Sequence, residues 1–346
     1  IYTLSLHDAL PIWSAADAVY EKKYLLGTSL ARPLISKVLV DYAHKEEAEA
    51  ICHGATGKGN DQVRFELGIG ALDPQLKIIA PWREWDLQSR EDLMDFCIEH
   101  DIKVSTSHDQ SYSRDTNLLH MSHEGLELED PSIEPNYKHI LRITNALNET
   151  PDEAEEIKIE FVKGEPVAIN DQKMSPRKIL ETCNKIGGKH GIGVIDLIEN
   201  RVVGMKSRGI YETPGGSILY RAHEELEHMC LDRETFAFKE QASVKFAEIV
   251  YGGQWFTPLR EALSAFFDET QKTVTGIVKL KLYKGNMILT YVTSPYSLYN
   301  AEIASFTTGD LYNHKDAEGF IHLYGLPLRV RALMRLSARE KGQDIE

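Results

Sequence analysis

Residues 53–66 read HGATGKGNDQVRFE, and this stretch decides which fold the surrounding chain adopts. A short apolar run, residues 48–52, comes before it, glycines stand at positions 54, 57 and 59, and Asn60 and Asp61 open an amphipathic segment. This order predicts a strand, a glycine-rich turn and a helix. Glycines let the backbone come close to a ligand, and the free N–H groups at a helix start favour an anion. The spacing matches neither the P-loop pattern nor GxGxxG, so a plain turn with Asn and Asp as helix caps is the alternative.

Strands and helices alternate on both sides of this stretch. We expect a helix that begins at Pro33, and strands at residues 76–80 and 102–105 in addition to the one at 48–52. A helix over residues 89–100 separates the last two strands. The alternation predicts a parallel sheet covered by helices on both faces, in which ligands bind at the carboxyl ends of the strands. The glycine-rich turn follows one of these ends.

The composition is that of a globular protein, and the 346 residues leave room for two domains. Thirty-nine basic and 53 acidic side chains give a net charge of -14, which argues against nucleic acid or an anionic membrane as a partner. No apolar run approaches the roughly 20 residues needed to span a bilayer. The cysteines stand far apart, at Cys52, Cys97, Cys183 and Cys230, and form no CxxC pair. We therefore expect reduced thiols in a cytoplasmic protein, without disulfides and without a metal site.

The first twelve residues need separate treatment. Residues 3–12, TLSLHDALPI, are what one reading frame of a widely used sequencing-library adapter encodes. We interpret residues 1–12 as a cloning or assembly scar and exclude them from the fold. We also expect that the natural chain begins further upstream, which a comparison with the source reads would test.

A mixed α+β region follows a polar, loop-rich boundary near residue 107. Two hairpins are predicted, one turning at Lys163-Gly164 and the other at Lys284-Gly285-Asn286. A strand pair over residues 194–205 is predicted to turn at Asn200. Apolar residues at helical spacing predict three helices between the strand pair and the second hairpin.

The chain ends in a basic amphipathic helix, residues 326–340. Val330, Leu333 and Met334 lie on one side of this helix, and arginines stand elsewhere on it. Because the helix comes after the last domain and lacks an obvious partner in its own fold, we expect it to pack on another subunit. A helix folded back on its own chain, or a frayed terminus, is the alternative.

Two further stretches carry candidate chemistry. Residues 113–122, SRDTNLLHMS, place Ser113 and Ser122 on either side of polar residues, for which capping and turn chemistry is the alternative. Residues 204–219, GMKSRGIYETPGGSIL, contain Tyr211, and Glu199 stands twelve residues before it. A carboxylate beside an aromatic hydroxyl suits a cationic amine, whereas serine, asparagine and arginine groups suit a carboxylate. An amino-acid zwitterion fits both.

The chain resembles the argininosuccinate synthase family over nearly all of residues 13–339. The resemblance implies a ligase that joins citrulline and aspartate at the expense of ATP, giving argininosuccinate, AMP and pyrophosphate through a citrulline adenylate. It implies arginine biosynthesis, or the urea cycle in animals, with Mg²⁺ bound to ATP and a homotetramer. The strings that carry it are YLLGTSLARPL, HGATGKGNDQVRFE, APWREW, SRDTNLLHMSHEG, VIDLIENRVVGMKSRGIYETPGGSIL, KFAEIVYGG, SPYSLYN and YGLPLRVRA.

The fold implied by the resemblance is a Rossmann-like, adenine-nucleotide α-hydrolase-type parallel sheet domain, an α+β synthetase domain and a C-terminal oligomerisation helix. After the scar at 1–12, we expect these parts at residues 13–106, 107–324 and 325–346. The N-terminal strand of the family and its pyrophosphate-binding Ser-Gly-Gly loop do not occur in this sequence. We therefore expect that the chain as written does not turn over ATP at a useful rate.

The family's site residues can be carried over position by position. Arg64 can grip the carboxylate of citrulline in a fork, and Glu199 can balance its ammonium group. No covalent catalytic residue and no metal ligand is assigned. The resemblance implies citrulline contacts at Tyr24, Ser29, Asn60, Arg64, Ser113, Ser122, Glu199 and Tyr211, aspartate contacts at Thr56, Asn60 and Asp61, and an ATP contact at Gly54.

Two other functions compete with this interpretation. The first is a non-catalytic binding or oligomer-forming fragment of the same enzyme. The second is a related ATP-pyrophosphatase ligase with another amide or amino-acid substrate. The matches at Tyr24, Ser29, Glu199 and Tyr211 count against the second of these.

Overall fold

The computed structural model describes residues 15–87, 89–104, 112–305 and 313–343, without the side chain of residue 90. The interpretation of residues 1–12 as a scar therefore concerns residues outside the described ranges. Contacts divide the chain between Leu298 and Tyr299 into two compact units. The first unit contains an N-terminal α/β layer and an α+β region, and the second contains the C-terminal helices.

The N-terminal layer is built around two parallel strands, in which Ile51 pairs with Ile78. A small apolar core containing Val40, Ala43 and Ile69 joins the strands to their helices. The predicted strand, glycine-rich turn and helix are confirmed. The elements are α1 (Gly27–Lys45), β1 (Ala50–Cys52), α2 (Asp61–Leu72), β2 (Lys77–Ile79), α3 (Pro81–Glu84) and α4 (Arg90–Glu99).

Two predictions for this layer were wrong. Helix α1 begins at Gly27, so Pro33 lies inside the helix and not at its first position. The first turn of α1 is buried, and this tertiary packing extends the helix past a proline that removes only one backbone hydrogen bond. The predicted third strand is not formed over the described residues 102–104. Their apolar side chains are about half exposed, with Ile102 at 49% and Val104 at 44%, and they lack the burial that stabilises a strand.

The α+β region covers residues 112–298. The predicted hairpin turns at Lys163-Gly164 and Lys284-Gly285 are both confirmed. Its strands and α-helices in chain order are β3 (Met121–His123), α5 (Tyr137–Ile140), β4 (Glu155–Val162), β5 (Glu165–Ile169), β6 (Gln172–Lys173), α6 (Pro176–Lys189), β7 (Val194–Asn200), β8 (Lys206–Glu212), α7 (Pro214–Cys230), α8 (Arg233–Tyr251), α9 (Pro258–Thr270), β9 (Gly276–Tyr283) and β10 (Asn286–Thr293).

The two predicted hairpins join into one antiparallel sheet with the strand order β10-β9-β4-β5-β6. Strand β4 pairs with β9, so that Ile157 lies opposite Leu280 and Ile159 opposite Val278. These four side chains are fully buried. Helices α6 and α7 pack together, and α7 also packs on β9 and β10, so this sheet and its helices enclose the main apolar core.

A second antiparallel sheet, with the order β3-β8-β7, positions the candidate site. The sequence predicts a strand pair over residues 194–205 with its turn at Asn200, but β8 begins only at Lys206 and residues 201–205 form the turn. Within this turn Arg201 donates its N–H to the Met205 carbonyl at 2.8 Å, and Gly204 takes a φ of 93° that favours glycine. The pairing of β3 with β8 places Ser122 directly opposite Tyr211.

The second unit consists of helices α10 (Ala301–Ala304), α11 (His314–Tyr324) and α12 (Leu326–Glu340). The predicted basic amphipathic helix over residues 326–340 is confirmed. Its apolar side chains are exposed, with Leu328 at 71%, Leu333 at 58% and Met334 at 52%. Among the described residues, no helix combines the length and the apolar character that crossing a membrane requires.

Candidate active site

A polar cavity of about 220 Å³ lies where the glycine-rich turn, β3 and the β7–β8 hairpin meet. It follows the carboxyl end of β1, which is the position expected for a ligand in a parallel α/β layer. The structure brings all but one of the predicted site residues to its wall. The lining residues are Tyr24, Thr28, Gly54, Ala55, Thr56, Gly59, Asn60, Asp61, Arg64, Ser113, Asp115, Ser122, Glu124, Glu199, Arg201, Tyr211 and Tyr251.

Ser29 is the predicted site residue that the structure places elsewhere. Its side chain is fully buried, and its Oγ has no hydrogen-bond partner within the described part of the chain. Thr28, one residue earlier, lines the cavity instead and places its Oγ1 2.9 Å from Nε2 of His120. Consecutive residues of a helix point about 100° apart, so only one of the two can face the cavity. The structure therefore places Thr28, and not Ser29, at the cavity wall, and the assignment of Ser29 as a citrulline contact stays a prediction.

Asn60 stands at the start of α2 but does not cap it. Its Nδ2 donates to the hydroxyl of Tyr251 at 2.8 Å, and its Oδ1 accepts the N–H of Val202 at 2.8 Å. The capping alternative for Asn60 is therefore wrong, because its amide group bridges two distant parts of the chain.

Charges of both signs meet on one side of the cavity. Arg32 contacts Asp61 at 2.5 Å and Asp115 at 2.9 Å, and Arg64 contacts Asp61 at 3.1 Å. Burial opposes ionisation of Asp61, but the hydrogen bond and charge of Arg32, together with Arg64, outweigh it and lower the pKa of Asp61. Arg64 also donates from Nε to the Tyr251 carbonyl at 2.9 Å. The guanidinium groups are therefore held in fixed positions.

Glu199 and Tyr211 form the other side of the cavity. Tyr211 donates its hydroxyl hydrogen to Oε1 of Glu199 at 3.0 Å. The second oxygen, Oε2, is buried and has no partner among the described residues. Burial raises the pKa of Glu199. A buried carboxylate oxygen without a donor is costly, so this atom is suited to accept a hydrogen bond from a ligand.

The stretch from Ser113 to Ser122 reaches the cavity through a local turn. Oδ1 of Asn117 accepts the N–H groups of Leu119 and His120, as the turn-chemistry alternative predicts. Ser122 accepts the N–H of Asp115 through its Oγ at 3.1 Å. This stretch therefore forms a local turn and also lines the cavity.

Several lining residues were missed by sequence reasoning. Asp115 and Glu124 lie within or beside a stretch already recognised as polar, so composition gave a signal for them. Tyr251 ends α8, and Arg201 stands in the hairpin turn, where spacing gave no signal. Both are brought to the cavity only by tertiary contacts.

The parallel α/β layer, with a polar cavity at the carboxyl end of its first strand, defines the class of the protein as an α/β protein joined to an α+β region. Comparisons with known proteins identify the family. A model described as the arginosuccinate synthase N-terminal HUP domain matches residues 8–103, and one described as the arginosuccinate synthase C-terminal domain matches residues 112–331. The chain belongs to the argininosuccinate synthase family.

Similarity to individual proteins supports the same family. The chain is 60% identical over 327 residues to the argininosuccinate synthase of Brachyspira hyodysenteriae, which covers 94% of this chain and 80% of the relative. It is 61% identical over 328 residues to that of Lachnospira eligens, with coverage of 94% and 80%. For Lachnoclostridium phytofermentans the identity is 62% over 331 residues, covering 95% and 81%.

The predicted family, its ligase activity and its fold class are thereby confirmed. Members of this family ligate citrulline and aspartate in arginine biosynthesis and use ATP as a substrate. The comparisons do not favour the alternative of a non-catalytic fragment.

Proposed function

We propose that the cavity binds citrulline and aspartate side by side, so that the chain's own residues position the two substrates of the ligation. The observation that carries this proposal is the Glu199 carboxylate, held in the cavity by Tyr211, whose buried Oε2 has no hydrogen-bond partner among the described residues. The ammonium group of an amino acid supplies both the missing donor and the missing positive charge. Arg64, in the same cavity, supplies a positive charge for a carboxylate.

The citrulline contacts follow from this orientation. The ammonium group bonds to Glu199, the carboxylate bonds to Arg64, and hydroxyl and amide groups hold the rest of the molecule. Thr28 takes the position first assigned to Ser29, because Thr28 faces the cavity. The proposed set is Tyr24, Thr28, Asn60, Arg64, Ser113, Ser122, Glu199 and Tyr211.

The glycine-rich turn is proposed to hold aspartate and one side of ATP. Thr56 and Asn60 offer neutral polar groups to the aspartate carboxylates, and Asp61 offers a carboxylate to its amine. Gly54 is proposed as the ATP contact. A Cβ built at Gly54 meets no atom within 4 Å, so the backbone there is open to a ligand.

The proposed reaction has two steps. The ureido oxygen of citrulline attacks the α-phosphorus of ATP, forming a P–O bond as pyrophosphate leaves. The aspartate amine then attacks the activated carbon, forming a C–N bond as AMP departs and the amine loses a proton. Positioning of the substrates and charge neutralisation are proposed to supply most of the rate enhancement.

We propose that Mg²⁺ enters with the phosphates of ATP. The described residues Asp17, His223 and Glu227 could converge on an ion, but the ammonium group of Lys239 already lies 2.7 Å from Asp17 and 2.8 Å from Glu227. This cluster therefore does not fit a divalent cation. No step of the reaction is derived through the metal.

A homotetramer in the cytoplasm completes the proposal. The exposed apolar side chains of α12 support packing against another copy, since such a surface is otherwise left in water. The free thiols Cys52, Cys97, Cys183 and Cys230 agree with a reducing compartment. We also propose the domain division that the sequence predicts, with parts at residues 13–106, 107–324 and 325–346.

Light scattering tests the assembly: we expect the mass of four chains, and the mass of one chain would refute the tetramer.

Calorimetric titration with citrulline tests the site. We expect Glu199→Gln to weaken citrulline binding at least about 100-fold, because a neutral amide cannot balance the ammonium charge. Glu165→Gln, which neutralises an exposed carboxylate on β5, is the matched control and should leave binding unchanged. Equal affinities of wild type and Glu199→Gln would refute the proposal. So would tight binding of another amino acid without binding of citrulline.

A further inference from the structure

We propose that Arg201 is a positioning residue that fixes the glycine-rich turn against the β7–β8 hairpin and so sets the separation of the two substrate subsites. The effect on the substrate subsites rests on the proposed function. The contacts of Arg201 that support the inference are present without any ligand. Arg201 stands in the hairpin turn, and its side chain is 14% exposed.

The guanidinium group of Arg201 joins two other stretches of the chain. Its Nη2 lies 2.6 Å from Oε2 of Glu124, and its Nη1 donates to the carbonyl of Lys58 at 3.0 Å. The next residue, Val202, donates its N–H to Oδ1 of Asn60 at 2.8 Å. The hairpin turn therefore holds the glycine-rich turn at two nearby positions, one through the backbone and one through a side chain.

The glycine-rich turn needs such support. A Cβ built at Gly54 or at Gly57 meets no atom of the described residues within 4 Å, so these residues do not pack against the turn there. Glycine also loses more conformational freedom than other residues when it is ordered. Within the turn, Gly59 donates to the Thr56 carbonyl at 3.0 Å, and Gln62 donates to the Gly57 carbonyl at 2.6 Å. These contacts are local, whereas Arg201 joins the turn to a distant part of the chain.

Glu124 extends the connection to a third stretch. Its backbone exchanges hydrogen bonds with Ser113 in both directions, at 2.8 and 3.0 Å. Glu199 lies two residues before Arg201 on the same hairpin. Arg201 therefore links the stretches that carry Ser113, Glu199 and the glycine-rich turn. A planar guanidinium group, with several donors in a fixed geometry, can bond to Glu124 and Lys58 at once, whereas a lysine ammonium is a single point charge.

Amide hydrogen exchange on the ligand-free chain tests the inference. We expect Arg201→Met to speed exchange of the hydrogen-bonded amides within residues 54–60, above all the Gly59 N–H that donates to the Thr56 carbonyl, by about tenfold, the effect of losing roughly one hydrogen bond. Arg201→Lys should restore part of the protection, because it retains the charge opposite Glu124. Lys206→Met is the matched control on the same hairpin, since it removes an exposed contact from Nζ to Oδ1 of Asn200, and it should leave residues 54–60 unchanged.

Exchange of the β4–β9 pair in the same samples reports global stability. If Arg201→Met speeds exchange there as well, Glu124→Gln provides the second variant, and we expect it to loosen residues 54–60 selectively. The inference would be overturned if the amides of residues 54–60 exchange at the wild-type rate in either variant. It would also be overturned if the exchange rate rises equally across the chain in both variants. Because no substrate is present, this outcome is separate from a failure of citrulline to bind.

Discussion

Nε2 of His123 lies 2.7 Å from Oε1 of Glu212, and both side chains are fully buried. Arg114 donates from Nε to Nδ1 of His123 at 3.0 Å, so Nδ1 is the acceptor and Nε2 carries the hydrogen that Glu212 accepts. The Glu212 carboxylate also accepts the N–H groups of Arg142, Ile143 and Thr144. It thereby joins the polar segment after residue 112 to β8.

This arrangement predicts an acid-sensitive contribution to stability. Burial opposes the charge of Glu212, but the hydrogen bonds from His123 and the backbone outweigh it and hold its pKa below the ordinary value of 4.5. A carboxylate with a lowered folded-state pKa stabilises the fold above its unfolded pKa, and this stability is lost as the pH falls below that value. We expect Glu212→Gln to lower the free energy of unfolding at pH 7 by about 3 kcal/mol and to flatten its decline below pH 4.5. Denaturant unfolding at several pH values measures both, and an unchanged slope would contradict the prediction.

Gly27 begins α1 against the ring of His120. A Cβ added at Gly27 would overlap the imidazole ring, which is itself fully buried. We expect Gly27→Ala to lower the free energy of unfolding by about 1–3 kcal/mol, the usual cost of overpacking. Gly70 in α2 is the matched control, because a Cβ there meets nothing within 4 Å. Gly70→Ala should stabilise the protein by about 0.5–1 kcal/mol through helix propensity. Thermal unfolding of both variants checks the opposite signs.

Lys239 places its ammonium group between two carboxyl groups. Its side chain is 3% exposed and lies between Asp17 and Glu227. We expect Lys239→Met to cost about 3–5 kcal/mol in the free energy of unfolding, because both carboxyl groups would lose the ammonium group and only His223, 2.9 Å from Asp17, would remain beside them. Lys245, on the same helix, forms an exposed pair with Glu248, so Lys245→Met should change stability by less than about 0.5 kcal/mol. Similar losses for the two variants, measured by denaturant unfolding, would show that the buried cation has no special role.

Turns and helix starts that depend on neighbouring residues form where the local sequence favours them. A capping box begins the helix predicted over residues 89–100, with Ser89 and Asp92 each bonded to the backbone of the other. The Lys163-Gly164 turn and the helix start after Ser175 are likewise decided by neighbouring residues. Long matching strings identified the family for the same reason, since they require no knowledge of which side chains meet.

The sequence alone was therefore enough to predict the family, the strand–turn–helix around residues 53–66, the two hairpin turns and the C-terminal helix, because these depend on short-range propensities and ordered motifs. Tertiary packing was needed to place Thr28 and not Ser29 at the cavity, and to begin α1 at Gly27 and not at Pro33. It also brought Asn60 to Tyr251, 191 residues away, and Arg201 to Glu124, 77 residues away. Contacts of this kind arise from packing of distant segments, which leaves no periodic pattern in the chain.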